Sequence, residues 1–277
     1  MIDEGTLANK ERALYAQMAE LREVLVAFSG GVDSSLVLKV AKDVLGDRAR
    51  ALIARSPSLP ARELDEAFRI AAEIGVPLEV VATKELATEG YVANAPDRCY
   101  YCKSELFDVT KARVAAGSAI VVDGVNADDL GDHRPGLLAG RERGVVHPLA
   151  EAGFTKDEVR HLSKKLGLST WKKPQLACLA SRVPYGTRVT PERLGRIERV
   201  EDALRDLGCF DVRARLVSGN DDLVRIEVGD ADFDRVVANR RSITERAKAA
   251  GFKRVTLDLE SFRSGSMNAD LVELRRG

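Results

Sequence analysis

The chain has 277 residues, enough to bury one large core or two smaller ones, and its 43 basic and 43 acidic side chains cancel, so any polyanion-binding surface must be local. Its start, Met1-Ile2-Asp3-Glu4, is acidic and unlike a secretory leader, and no apolar run reaches membrane-spanning length, so a cytoplasmic protein is expected. In that reducing compartment four cysteines point away from structural disulfides and toward metal, cluster or catalytic work.

A first helical pattern covers residues 6–21, followed by the apolar strand Val24 to Phe28. The strand breaks into Ser29-Gly30-Gly31-Val32-Asp33-Ser34-Ser35, and a helix is predicted over Asp33 to Leu45. A glycine and hydroxyl loop between strand and helix presents bare backbone N–H groups and a positive helix end to an anion. Gly30 and Gly31 allow close backbone approach, Ser29, Ser34 and Ser35 can donate to phosphate oxygens, and Asp33 suits the magnesium that accompanies a nucleotide. The Walker A lysine is missing. The segment resembles the SGGxDS loop of the PP-loop ATP pyrophosphatases, which hold the β and γ phosphates of ATP while AMP passes to a substrate oxygen. That resemblance implies ATP and Mg2+ as cofactors, and adenylation in place of phosphoryl transfer.

Further strands are predicted at Arg50 to Ala54, Leu78 to Val81 and Ala119 to Asp123, with helices at Ala61 to Ile74 and Lys103 to Ala116 between them. This alternation is the pattern of an α/β fold with a parallel sheet covered on both faces. Ligands of such sheets bind beyond the carboxyl ends of the strands. The SGGVDSS loop, Ser56 to Pro60 and Asp123 to Asp129 are therefore expected to rim one nucleotide cleft. Asp132 and Arg134 stand where a strand-end loop meets substrate, and Lys156, after the N-cap residue Thr155, can reach a triphosphate. His133, His147 and His161 show no ligand spacing, and no metal is assigned to them.

Beyond Leu168 the periodicity lapses, and residues 171–189 read as a crossing loop carrying Cys178. A helix over Pro191 to Leu207, strands at Val212 to Leu216 and Leu223 to Val228, a helix over Phe233 to Ala250 and a strand at Arg254 to Leu257 make a small α+β domain. The expected organisation is thus 1–170, an ATP-binding domain; 171–189, the crossing loop; and 190–277, a domain that completes the substrate site. Arg193, Arg196 and Arg199 are interleaved with Glu192, Glu198 and Glu201, the pattern of a solvated helix face.

Cys99 and Cys102 form a C-x-x-C at a helix start beside Arg98 and Lys103, a setting that can acidify thiols in general. The spacing alone fits half a zinc site, a redox pair, part of a cluster, or chance. Cys178, in Ala177-Cys178-Leu179-Ala180-Ser181-Arg182, has hydroxyl and guanidinium neighbours suited to a phosphate or carboxylate, with an inert buried thiol as the plain alternative. Cys209 has no polar company and reads as core, which leaves three thiols. Three are one short of a closed all-cysteine zinc site, and would leave one iron of a [4Fe-4S] cluster open. Arg213 and Arg215 alternate on a strand and point to one face as two phosphate forks, with Glu227 and Asp232 able to supply metal or hydroxyl contacts. The bland alternative is a solvated sheet face of paired charges.

Taken together, SGGVDSS, Asp132 to Leu137, ACLASRVPYG, Val212 to Arg215 and Ser261 to Asn268 resemble the LarE family of ATP-dependent sulfurtransferases, which serve nickel-pincer nucleotide cofactor biosynthesis. The resemblance implies adenylation of a carboxylate of pyridinium-3,5-biscarboxylic acid mononucleotide, loss of pyrophosphate, and displacement of AMP by sulfur to give a thiocarboxylate. It makes Cys178 the catalytic cysteine, matches Ser181, Arg182, Arg213 and Arg215 to the substrate-phosphate pocket, and puts Glu201, Glu227 and Asp232 near it. Cys99 and Cys102 stand where single-cysteine members carry tryptophan and alanine. That departure resembles the three-cysteine branch and implies a [4Fe-4S] cluster on Cys99, Cys102 and Cys178 whose open iron carries the sulfur; a sacrificial Cys178 is the alternative. The expected partners are the small nucleotide substrate, sulfide or a sulfur-donor protein, and further copies of the chain, with no nucleic acid and no membrane. Three rivals stand beside this reading: a tRNA thiolase, which needs a basic surface along an RNA backbone; an ammonia-dependent synthetase, which leaves the cysteines idle; and a nucleotide sensor with a zinc clip, which binds ATP without releasing pyrophosphate.

Overall fold

A computed structural model describes residues 2–114, 119–131, 135–174 and 177–262. Asp132, His133, Arg134 and the stretch from Arg263 to Asn268 lie outside the described residues. The chain divides into two compact units, Met1–Tyr91 with Asp97–Leu176, and Val92–Pro96 with Ala177–Gly277.

In the first unit the elements run α1 (Glu4–Glu20), β1 (Val24–Ala27), α2 (Val32–Leu45), β2 (Ala49–Arg55), α3 (Ala61–Ile74), β3 (Leu78–Ala82), α4 (Glu89–Val92), α5 (Arg98–Val114), β4 (Ile120–Val122), α6 (Ala127–Leu130), α7 (Pro135–Glu142), α8 (Pro148–Glu151) and α9 (Lys156–Lys165). The four strands lie in the order β3-β2-β1-β4, every neighbouring pair parallel, with Val26 opposite Ala51 on one side and Val122 on the other. Alternation along β1 explains why both faces are covered. Val24 and Val26 join the main core with α2, α3 and α9, whereas Leu25 and Ala27 pack toward the α5 side with Leu106. The parallel sheet and its covering helices agree with the α/β expectation.

Local chemistry fixes where these helices begin and end. Asp3 caps α1 through the amides of Gly5 and Thr6, Thr155 and Glu158 form a reciprocal capping box on α9, and α3 stops at Gly75 in the left-handed conformation at φ +80°. At α2 the cap residue is Gly31, which has no side chain to offer, so the first amides of that helix keep no side-chain partner.

The second unit holds α10 (Pro191–Asp206), β5 (Val212–Val217), β6 (Asn220–Val228), α11 (Asp230–Ala238), α12 (Arg240–Ala249) and β7 (Arg254–Leu257). β5 and β6 are antiparallel and β6 and β7 parallel, in the order β5-β6-β7. Where one helix was expected over Phe233 to Ala250, two stand, broken at Asn239. The solvated face expected on α10 also needs correcting, because Arg196 and Glu201 are buried. Arg193 pairs with Asp221, and Arg196 and Arg199 donate to the Gly251 and Ala250 carbonyls at the end of α12. Arg196 and Arg199 thus cap the end of α12, Arg196 from a buried position and Arg199 from an exposed one, an outcome that charge spacing alone does not distinguish from a wholly wet face.

Candidate functional site

The SGGVDSS segment leaves β1 and enters α2 as the sequence predicts. Gly30 sits at φ +69°, where a side chain is strained, and a Cβ there would press on Ala67 at 3.2 Å. A Cβ on Gly124, just past β4, would stand 2.7 Å from the Ser34 amide nitrogen, so glycine lets that strand exit abut the loop. Inside the loop the Ser29 hydroxyl lies 3.0 Å from that of Ser34 and accepts from the Gly31 amide at 3.3 Å. Ser35 is fully buried, and its hydroxyl has no hydrogen-bond partner among the described residues. The Asp33 carboxylate pairs with Lys156 and accepts from Asn126 Nδ2 at 3.1 Å. Lys156 also donates its backbone amide to Asp128 at 2.8 Å, which ties the start of α9 to α6. Glycines, hydroxyls, helix N-terminus, Asp33 and Lys156 thus meet at the carboxyl end of β1, as an anion and a divalent cation together require.

Asn126 escaped the residue-level sequence reading because an asparagine in a polar loop looks like any N-cap; it does cap α6, and its amide reaches Asp33 as well. A second feature had no sequence signal. His147 Nδ1 lies 2.7 Å from Asp123 Oδ1, and Asp123 Oδ1 also accepts from the Val125 amide at 3.1 Å, just beyond β4. Burial works against the imidazolium, but the Asp123 hydrogen bond and the charges of Asp123 and Glu151 outweigh it and raise His147 above its ordinary value of 6.5. The stability this pair contributes is fully present below the unfolded value and lost as pH rises through the raised one. Thermal midpoints across that window should therefore fall with pH in the native chain relative to His147→Gln; parallel curves would exclude the pair as the cause.

None of the four cysteines is in a disulfide; Cys99 and Cys178 are exposed, Cys102 is half-buried and Cys209 is buried in the core, as expected. Burial, with Asp232 next, pushes the Cys209 thiol up. Cys99 and Cys102 lie three residues apart in the first turn and a half of α5. Among the described residues, no three His, Cys, Asp or Glu side chains are grouped closely enough to hold a metal ion.

In the second unit, Cys178 precedes a single 3-10 turn, Leu179–Arg182. Its carbonyl accepts from the Ser181 amide at 2.9 Å, the Ser181 hydroxyl at 2.8 Å and Arg182 Nη1 at 3.0 Å. The Arg182 side chain is only 2% exposed and spends its other donors on the Ala177 carbonyl and, from Nε and Nη2, on both oxygens of Glu201 at 2.7 and 3.2 Å. Glu201 is 0% exposed and also accepts from the Ala214 amide on β5 and from Arg205. Despite that burial, the charge of Arg182 and its hydrogen bond hold the carboxyl below its ordinary value.

Arg215 donates to Glu227 at 2.7 Å and to the Ser181 carbonyl at 2.9 Å, while Arg225 pairs with the other Glu227 oxygen. Arg213 lies over the Phe262 ring at 4.4 Å. Burial, followed by the charge of Arg182, pulls Arg213 down to about 10, still protonated at neutral pH. Cys178, Ser181, Arg182, Arg213, Arg215, Glu201 and Glu227 therefore belong to one linked assembly, in which Arg182 and Glu201 act as scaffold. Both arginines of β5 are buried, which removes the alternative of a solvated sheet face. Asp232 accepts from the Phe210 amide at 2.7 Å and pairs with Arg235.

Comparison with known proteins places these observations in context. The NAD synthase family model matches residues 11–105, the stretch that contains the phosphate-type loop. An uncharacterised protein of Synechocystis is 45% identical, over 96% of this chain and 100% of its own length. The pyridinium-3,5-bisthiocarboxylic acid mononucleotide synthase of Lactiplantibacillus plantarum is 41% identical over 97% of each chain. A glutamine-hydrolysing GMP synthase component of Methanococcus maripaludis is 30% identical, but over only 53% of this chain and 51% of its own.

Proposed function

The chain belongs to the pyridinium-3,5-bisthiocarboxylic acid mononucleotide synthase family, the LarE family of PP-loop ATP-dependent sulfurtransferases, and from that premise we propose that it converts a carboxylate of pyridinium-3,5-biscarboxylic acid mononucleotide to a thiocarboxylate through Cys178. A carboxylate anion repels nucleophiles and offers no adequate leaving group. Transfer of AMP from ATP to one carboxylate oxygen, with release of pyrophosphate, removes both obstacles, and sulfur then displaces AMP at the acyl carbon. The SGGVDSS loop and the α2 N-terminus would hold the pyrophosphate portion, with Asp33, freed from Lys156, on the magnesium and Lys156 turned to the phosphates. Asp33→Ala is expected to slow pyrophosphate release by about 100-fold or more, read in a coupled diphosphate assay. A rate within about twofold of the native chain would remove Asp33 from that role.

The observation that carries the proposal is the exposed thiol of Cys178 on a backbone clamped by Arg182 and Ser181, with Arg213 and Arg215 buried beside that turn. Three buried arginines, Arg182, Arg213 and Arg215, face two buried glutamates, Glu201 and Glu227, and the surplus positive charge suits the phosphate of a mononucleotide. Burial and then the charge of Arg182 pull Arg213 down, and an incoming anion would offset both. Ser181, Arg213 and Arg215 are assigned to substrate, Glu227 orients Arg215, and Arg182 with Glu201 sets the position of Cys178. Asp232 supports the turn before β5.

Cys99, Cys102 and Cys178 are the residues proposed to hold a [4Fe-4S] cluster. Three thiols outside any disulfide are the donor type such a cluster takes, and Cys99 and Cys102 share the first turns of α5; among the described residues the three are not grouped as a metal site, so this reading rests on the resemblance to the three-cysteine branch. When bound, the cluster would supply the transferred sulfur, reloaded by sulfide or a donor protein, and spare the Cys178 sulfur. The chain is proposed to work in the cytoplasm as a homo-oligomer; among the described residues no helix is long and apolar enough to cross a membrane. The test is an anaerobic incubation with ATP, magnesium, sulfide and the pyridinium dicarboxylate nucleotide, with mass analysis of the small molecule and the polypeptide. Thiocarboxylate formed over many turnovers, with about four irons per chain, supports the cluster form. One turnover with loss of the Cys178 sulfur and no iron favours the sacrificial form, and absence of thiocarboxylate contradicts both.

A further inference from the structure

Lys173 is buried, with 9% of its side chain exposed, and its ammonium has two hydrogen-bond acceptors and a second carboxylate beside it within the first unit. It donates to Glu66 Oε2 at 2.7 Å and to the Gly30 carbonyl at 3.2 Å, and Glu63 Oε2 lies 3.0 Å away. Glu63 and Glu66 are one turn apart on α3, so they alone would explain a surface ion pair. They do not explain why a hydrogen bond of the ammonium goes to the backbone of the phosphate-type loop. The residue is also held from behind: Arg160 of α9 donates to the carbonyls of Trp171 and Lys173 at 2.9 Å each, Ser169 bonds Glu73 through its amide and hydroxyl, and Lys164 lies over the Trp171 ring.

A trans peptide points its C=O and the following N–H in opposite directions, so a fixed Gly30 carbonyl also fixes the Gly31 amide. That amide now meets the Ser29 hydroxyl at 3.3 Å, on the side where a phosphate oxygen would be received. Gly30, at φ +69° and without a Cβ, has little steric resistance to rotation of this peptide, and Ala67 of α3 closes one side of it. The restraint has to come from hydrogen bonds, and Lys173 supplies the one on the carbonyl side of this peptide.

We infer that Lys173 is a positioning residue for the pyrophosphate portion of ATP, holding the Gly30–Gly31 peptide so that the Gly31 amide faces the phosphates; this rests on the adenylation reading above. The neighbouring Glu63 and Glu66 balance its charge, so it acts through the peptide and does not need to touch the nucleotide.

The test uses the full chain and calorimetric titration with two probes, magnesium pyrophosphate and AMP. Lys173→Met is expected to weaken pyrophosphate binding by about tenfold or more and AMP binding by less than about twofold, and Lys173→Arg to recover most of the loss. The double variant Glu63→Gln, Glu66→Gln leaves the ammonium on Gly30 and should keep pyrophosphate affinity within about threefold; it decides the matter if Lys173→Met does not fold. Native-like pyrophosphate binding by Lys173→Met, equal loss of both probes, or a tenfold loss in the double variant overturns the inference. A native chain that binds no pyrophosphate and releases orthophosphate overturns the adenylation reading itself, a result distinct from those.

Discussion

Replacing Cys178 with alanine is expected to abolish thiocarboxylate formation, by at least about a thousandfold, while ATP is still cleaved to pyrophosphate in the presence of the carboxylate substrate. The two halves separate because the groups assigned to the nucleotide, Asp33, Lys156 and the loop glycines, belong to the first unit, whereas Cys178 belongs to the second. The methylene and thiol of Cys178 are exposed, and what fixes the residue is its own carbonyl, held by Ser181 and Arg182. Alanine keeps that carbonyl and removes only the sulfur, so folding should be unaffected. Mass analysis of the nucleotide together with a diphosphate assay reads both halves at once. A Cys178→Ala chain that still makes thiocarboxylate at the native rate would remove the residue from the chemistry.

Glu201→Ala should cost the protein about 3–5 kcal/mol, because it strands the buried Arg182 guanidinium without its carboxylate. Glu201 accepts from Arg182, Arg205 and the Ala214 amide, so the change also frees β5 and the turn that carries Cys178. For a unit of this size that loss lowers the thermal midpoint of the second unit by roughly 10 °C or more. Glu201→Gln keeps the shape and one acceptor oxygen but not the charge, and should lose less than Glu201→Ala. If Glu201→Ala leaves the midpoint unchanged while weakening substrate binding alone, Glu201 is a substrate contact and not a strut.

The strands and helices of the first unit were readable because parallel, doubly covered strands are continuous apolar runs, and glycine breaks marked their ends at Gly30, Gly75 and Gly124. The loop that follows β1 was readable for the same reason, since glycines and hydroxyls after a strand have few other uses. Side-chain partnership was much less legible. An arginine written beside a cysteine looks like a ligand for phosphate, and only the fold shows that Arg182 is committed to Glu201 and to the backbone of Cys178. The α10 arginines misled in the opposite direction, because alternating charges describe a wet face equally well as a set of caps for α12. The Asp123 and His147 pair and the Lys173 contact join residues 24 and 143 positions apart, beyond the reach of any local pattern. The break at Asn239 was missed because the helical pattern continues on both sides of it.

Adenylation of a carboxylate leaves an isotopic signature that phosphoryl transfer from ATP, or nucleotide binding without turnover, does not share. With both oxygens of the substrate carboxylate labelled as oxygen-18, attack on the α phosphorus followed by sulfur displacement at the acyl carbon must deliver one labelled oxygen to AMP. Mass analysis of the nucleotide products after turnover should then show singly labelled AMP and unlabelled pyrophosphate. Unlabelled AMP, or ADP with orthophosphate, would contradict the account.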